Sequence, residues 1–220
     1  MSFLNNLDRL YKLRFSKKEF EFKKQLWKIL CEDYFQKYIK NNDTVLDLGT
    51  GYCDFINHID CDNKIAIDVN PISRAFANKN VKVFIRKSTN LPKSLYNKVD
   101  VVFAACLLEH LASREDLLKT FIEVYKVLRP NGIFIILNPN IRFSTSDYWD
   151  YFDHLLPLSD RSVTEGLRLT NFTVIKLLPK FVPNTIKDNL PKSIFLLRIY
   201  LRLPILFCIF GRQMLIIAKK

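Results

Sequence analysis

Residues 45–51 read VLDLGTG, a short apolar run that breaks into a Gly-x-Gly turn holding two of the five glycines in this 220-residue chain. Glycine is placed where the backbone needs a positive φ or where another molecule must approach closely, so Gly49 and Gly51 mark a strand end built for ligand contact. Residues 53–59 follow as a short helix. Strand, glycine turn and helix N-terminus together predict a site for a polar or anionic small molecule in an α/β sheet.

The details of the turn narrow the ligand. A dinucleotide fingerprint needs a third glycine three residues after the second, and Asp54 stands there. Asp47 lies inside the strand, where a carboxylate is costly to bury unless a cation or a hydrogen-bond donor meets it, and a ligand ammonium is one such partner. Residues 64–68, KIAID, form a second apolar strand ending in Asp68, 17 residues beyond Gly51, where a carboxylate accepts hydrogen bonds from a ribose diol. The two acids together suit a nucleoside carrying an amino-acid tail.

On these residues the chain resembles the class I S-adenosylmethionine-dependent methyltransferases, whose motif of an acidic residue followed by Gly-x-Gly appears here as Asp47, Gly49, Thr50 and Gly51. The resemblance runs over roughly residues 40–220. It implies S-adenosyl-L-methionine as cofactor, held by Asp47, Gly49, Thr50, Gly51, Asp68, Val69 and Ala105, with Asp68 on the ribose. It also implies a Rossmann-like, seven-stranded, mostly parallel α/β sheet with helices on both faces and the last strand antiparallel. Cys53 departs from the pattern, since many members carry a further glycine there.

Periodicity alone predicts strands at 81–85, 99–104 and 132–137 and a helix over 115–128 that is stopped by Arg129-Pro130-Asn131-Gly132. The resemblance supplies the last two strands, 172–178 and 213–218. Residues 1–40 read as an N-terminal helical cap, with one helix over about 17–40 and, ahead of it, Tyr11, Arg14 and Phe15 as candidates for substrate contact. Residues 41–220 read as the methyltransferase domain, interrupted by a basic hydrophobic insertion at about 184–211.

Composition bounds the rest. At 49% hydrophobic, the chain can bury one core without disulfides or a metal. Its five cysteines lack metal-ligand spacing and point to a reducing, cytoplasmic setting. No metal is expected. A net charge of +12 is compatible with nucleic acid, a membrane surface or an acidic acceptor. Nucleic acid is disfavoured: the lysines are scattered, and Ala-Ala-Cys-Leu stands after the fourth strand, where amino-group RNA methylation commonly uses an Asn/Asp-Pro-Pro-aromatic tetrad. Residues 194–210, IFLLRIYLRLPILFCIF, are broken by Arg198, Arg202 and Pro204. They are too short to span a bilayer; they either pack on the sheet or make peripheral contact with an anionic membrane.

The acceptor belongs at the carboxyl ends of the strands. After the fourth strand come Glu109 and His110; after the fifth come Asn138, Asn140, Arg142, Tyr148, Trp149, Asp153 and His154. His110 and His154 are candidate general bases, because histidine titrates near ~6.5, and Asp153 is a candidate orienter of His154. Glu109 and His110 could equally pin the next helix. Asn138, Asn140, Arg142, Tyr148 and Trp149 are candidate acceptor contacts, with core filling by Trp149 and Phe152 as the structural alternative. The runs PNIRF, YWDYFDHLLPLSDRS and KFVPNT resemble a bacterial subgroup of these methyltransferases linked to glycan or cell-envelope biosynthesis. That implies O-methylation of a glycan, sugar or lipid-linked envelope precursor. A small aromatic or quinone precursor is the alternative acceptor. From another class, an NAD-dependent oxidoreductase would share the strand, turn and helix, but the missing third glycine and Asp47 count against it.

Overall fold

The computed structural model describes residues 9, 10, 13, 16–145, 147–183 and 193–220. Seven strands form one sheet in the order β3-β2-β1-β4-β5-β7-β6. They are β1 Thr44–Leu48, β2 Asn63–Asp68, β3 Val81–Ile85, β4 Val99–Ala105, β5 Leu128–Pro139, β6 Thr173–Leu178 and β7 Gln213–Lys219. The first five run parallel, and β7 is antiparallel to both β5 and β6. Central strands covered on both faces read as continuous apolar runs, as in β1 and β4, whereas edge strand β6 alternates between exposed and half-buried positions.

Helices cover both faces. One core gathers α1 Lys17–Leu30, α2 Asp54–His58, α6 Ile194–Arg202 and α7 Ile205–Phe210 on the sheet; the other gathers α4 Arg114–Val127 and α5 Asp160–Leu169. A short α3, Ser73–Phe76, follows β2. Phe103 of β4 anchors the first core, stacked on Phe55 of α2 at 3.7 Å between ring centres and met edge-on by Phe35 and Trp27. Burying a side chain of this size stabilises the fold by roughly 1.5–3 kcal/mol.

Three local differences from the sequence reading have physical causes. The leading helix keeps α geometry only to Leu30, then passes through a π turn, Cys31–Phe35, and a 3₁₀ turn, Gln36–Tyr38. The irregular turns sink Cys31, Tyr34 and Phe35 together into the core. Strand β5 starts at Leu128 rather than at Gly132, because Arg129, Pro130 and Asn131 are carried within it where the register against β4 slips between Val99 and Val101. Proline has no N–H for the ladder and Asn131 takes φ +68°, so the strand absorbs the turn residues as a bulge. The insertion both packs and protrudes: Tyr200, Leu201 and Phe207 are buried, whereas Phe195, Ile205 and Ile209 are exposed. Among the described residues no helix is long and apolar enough to cross a membrane. Tyr11, Arg14, Phe15 and residues 184–192 lie outside the described residues.

Candidate active site

The strand order turns back between β1 and β4, so the loops leaving β1, β4 and β5 at their carboxyl ends diverge around one crevice. The glycine turn lies at its floor. Gly49 and Gly51 both adopt left-handed backbone, at φ +75° and +52°. The Gly49 and Thr50 amides donate to the Ile67 carbonyl at 2.8 and 3.3 Å, which ties the turn to β2. The Gly51 amide donates to Asp68 Oδ2 at 2.8 Å, and the Asn70 amide donates to Oδ1 at 2.7 Å. Burial pushes the Asp68 carboxyl above its ordinary range, opposed by the amides of Asn70, Gly51 and Val69. Asp68 is therefore an oriented acceptor at the end of β2, with half-buried Val69 beside it and half-buried Ala105 at the end of β4.

Asp47 is only 3% exposed and accepts the Thr50 hydroxyl at 2.6 Å. Burial raises its carboxyl to about 7. Cys53 also sits in the left-handed region, at φ +60°, and its thiol donates to the Ser73 carbonyl at 3.4 Å, so the turn accommodates a side chain at this position.

Open space is what fits this turn to a nucleoside with an amino-acid tail. A Cβ built on Gly51 meets nothing within 4 Å, whereas one on Gly49 falls 2.8 Å from the Leu107 side chain. The two glycines thus separate experimentally. Gly49→Ala forces Leu107 aside at a left-handed position, so the melting temperature drops along with ligand affinity. Gly51→Ala adds only backbone strain of ~1–2 kcal/mol to the protein, but its methyl enters the cleft, so affinity for S-adenosylhomocysteine falls roughly tenfold while the melt moves little. Calorimetry beside thermal denaturation reads both.

The contact of Leu107 with Gly49 carries the loop after β4 over the turn. That loop continues as a 3₁₀ turn, Leu108–His110, pinned by the Asn138 side chain, which accepts the Leu108 amide at 3.2 Å. Its Glu109 carbonyl accepts the amides of Leu155 and Leu156 at 2.7 and 3.0 Å. The β4 and β5 loops are thereby laced together, and His110, Asp153 and His154 meet. His110 Nδ1 lies 2.8 Å from the Asp153 carbonyl and 3.5 Å from its carboxylate. The His110 and His154 rings meet edge-on at 5.1 Å, and Tyr151 stacks on His154 at 4.8 Å. Glu109, completely buried, brings Oε1 to 4.0 Å from His110 Nε2. The sequence reading set Asp153 to orient His154; the structure also places Asp153 against His110, through both its carbonyl and its carboxylate.

The remaining acceptor candidates divide. Asn138 and Asn140 are fully buried; Asn140 donates to Asp160 at 2.8 Å and to the Pro179 carbonyl at 2.9 Å. Arg142 pairs with Asp160 at 2.9 Å, and Tyr148 is buried with its hydroxyl on the Leu156 carbonyl. These four brace the β5 loop. Trp149, 57% exposed, and Phe152, three residues on and 81% exposed, both face outward, although the sequence reading offered them to the core as the alternative. His58 is spent on the Asp54 carbonyl at 2.7 Å. A separate hollow of about 480 Å³, lined by Tyr34, Lys37, Phe143, Lys176, Lys180 and Phe207 among others, opens between β6 and α7 and shares no lining residue with the glycine turn.

Comparison with known proteins agrees with this fold. Residues 46–136 match the profile of a family described as a methyltransferase domain. The ribosomal protein L11 methyltransferase of Alkaliphilus oremlandii (strain OhILAs) is 29% identical over 116 residues, 49% of this chain and 35% of that protein. The chain therefore spans about a third of the length of that curated relative. Among solved structures, a SAM-dependent methyltransferase from Archaeoglobus fulgidus superposes with TM-score 0.66 at 20% identity, over 92% of this chain and 98% of the other. A Haloferax volcanii structure, a complex between the Trm112 methyltransferase activator and the putative methyltransferase, matches with TM-score 0.69 at 17% identity, over 99% and 97% of the two chains. At these identities the structural likeness establishes the fold.

Proposed function

We propose that this chain carries a class I methyltransferase domain, uses S-adenosylmethionine as its cofactor and methylates an acceptor hydroxyl held over Glu109, His110 and His154. One observation carries the reading: Leu107, on the glycine turn, and His110, on the β5 loop, belong to a single short loop, so donor and acceptor sides are joined within four residues.

S-Adenosylmethionine supplies an electrophilic methyl group on a sulfonium, so the protein's tasks are alignment and the removal of one proton. Gly49, Gly51 and Asp68 would hold the cofactor, with Asp68 on the ribose diol and Asp47 beneath the amino-acid end. The Asp153 carbonyl can only accept, so it holds a proton on His110 Nδ1 and leaves Nε2 as the nitrogen that would take the hydroxyl's proton. Trp149 and Phe152 supply stacking faces at the mouth, which favours a saccharide hydroxyl of a glycan or lipid-linked envelope precursor. A phenolic or quinone precursor would stack equally and is the second acceptor to test. The exposed Phe195, Ile205 and Ile209 with Arg202 also support peripheral contact of α6 and α7 with an anionic membrane. Binding to vesicles containing phosphatidylglycerol, but not to neutral ones, is the expected result.

The test of the acceptor reading is a methyl-transfer screen with saccharides and catechol-like phenols, run on wild type, His110→Gln and Trp149→Ala. Both variants should bind S-adenosylhomocysteine as wild type does while transfer falls at least ~10-fold. Unchanged transfer in both would sink the assignment.

A further inference from the structure

We infer that Glu109, His110 and His154 form a binding site for a divalent transition-metal cation, an inference that rests on the acceptor reading above and gives the acceptor site its chemistry. Each offers one ligand atom, and these atoms lie within 4.8 Å of one another. One carboxylate and two imidazoles are the donor set of open catalytic zinc sites, which keep a position for water or substrate.

The arrangement around the trio is that of a supported metal site. Metal-ligating histidines commonly donate their second ring N–H to a carbonyl or carboxylate, which fixes the ring and leaves the other nitrogen for the ion. His110 does this: Nδ1 donates to the Asp153 carbonyl at 2.8 Å, with the Asp153 carboxylate 3.5 Å away, and Nε2 is turned toward Glu109 Oε1 at 4.0 Å. His154, 9% exposed, is held by the parallel face of Tyr151 and the edges of Tyr148 and His110. Glu109 is completely buried, and a carboxylate withdrawn from water is stabilised by a full positive charge between it and the imidazoles. Tetrahedral ligation at 2.0–2.1 Å needs ligand atoms roughly 3.4 Å apart. Rotation of the two imidazoles, both carried on loops, would supply that contraction.

Two nitrogens and one oxygen suit zinc, cobalt or manganese better than magnesium or calcium, which prefer all-oxygen shells. An ion there lies in the crevice that the glycine turn floors, and it would acidify a hydroxyl on its open position so that the proton passes to solvent water near neutral pH. Histidine's part in the reaction would then be ligation.

The protein is stripped with a chelator and titrated with Zn2+ and Co2+ by calorimetry, with Co2+ also followed by visible absorption, and S-adenosylhomocysteine is titrated in parallel. We expect one ion per chain, a ligand-field band from Co2+, and a ~10–100-fold loss of metal affinity in Glu109→Gln and in His154→Ala. S-Adenosylhomocysteine affinity should stay unchanged in both variants, which also verifies their folding. Absence of Zn2+ and Co2+ binding in wild type that still binds S-adenosylhomocysteine would overturn the metal site and leave the methyltransferase reading intact. Metal binding equally tight in both variants would overturn it too, by placing the ion elsewhere. Metal binding lost with the trio, together with failure of every hydroxyl acceptor, would uphold the site and refute the acceptor reading.

Discussion

Replacing Asp68 with alanine is expected to weaken S-adenosylmethionine and S-adenosylhomocysteine binding by about 100-fold or more, the largest effect on affinity among single changes in the cleft. The carboxylate has two tasks. It accepts the amides of Gly51 and Asn70 at 2.8 and 2.7 Å, which sets the width of the glycine turn, and in the proposed complex its remaining lone pairs would meet the ribose. Hydrogen bonds to a charged acceptor are each worth roughly 1.5–3 kcal/mol, and removal leaves a turn amide without its carboxylate as well as a diol without its acceptor. Calorimetry with both adenosyl ligands and NAD reads the result. Tight NAD binding by wild type, or adenosyl binding indifferent to Asp68, would refute the placement of the cofactor.

The parallel half of the sheet was legible because doubly covered strands must be apolar throughout, and each is cut off by a turn whose chemistry is local. Asp47, Gly49, Gly51 and Asp68 were legible for the same reason: a left-handed glycine or a strand-end carboxylate is fixed within a few residues of sequence. The β5 bulge was not, since Arg-Pro-Asn-Gly reads as a stop until β4 lies alongside. Nor were Asn138, Asn140 and Arg142, whose polar ends could have served an acceptor as well as Leu108, Asp160 and Pro179; only tertiary packing decides which. The pairing of Asp153 with His110 and the approach of Glu109 to His154 depend on two loops laced through the Glu109 carbonyl. The proposed metal trio comes from separate loops, so no ligand spacing in the sequence announces it.

Asp47 makes the second large prediction, in stability. Its carboxyl rises from an ordinary value of 3.8 to about 7 in the folded protein, chiefly by burial, helped by the negative charges of Asp68 and Asp54 and opposed by the Thr50 hydroxyl. The folded state therefore holds a proton that the unfolded chain releases. Stability from this group is full below about pH 4, declines as pH rises through the window up to about 7, and is lost above it. Three pH units correspond to roughly 4 kcal/mol, and with the side chain 3% exposed little of this is screened by solvent. Urea denaturation at pH 5 and pH 8 should show wild type losing stability over that interval more steeply than Asp47→Asn, which keeps the shape and the contact with Thr50 but cannot ionise. Ligand binding should run the other way. An ammonium group beside Asp47 favours the ionised carboxylate, so wild-type affinity for S-adenosylhomocysteine should rise by up to ~10-fold per pH unit toward pH 7 and then level. Equal slopes for wild type and Asp47→Asn in both measurements would show that Asp47 is ionised in the free protein and is no partner of the ligand's amino group. A shallower slope in the variant for both would assign the buried carboxylate its role: it is kept at a cost to stability because the bound ligand repays it with a charge.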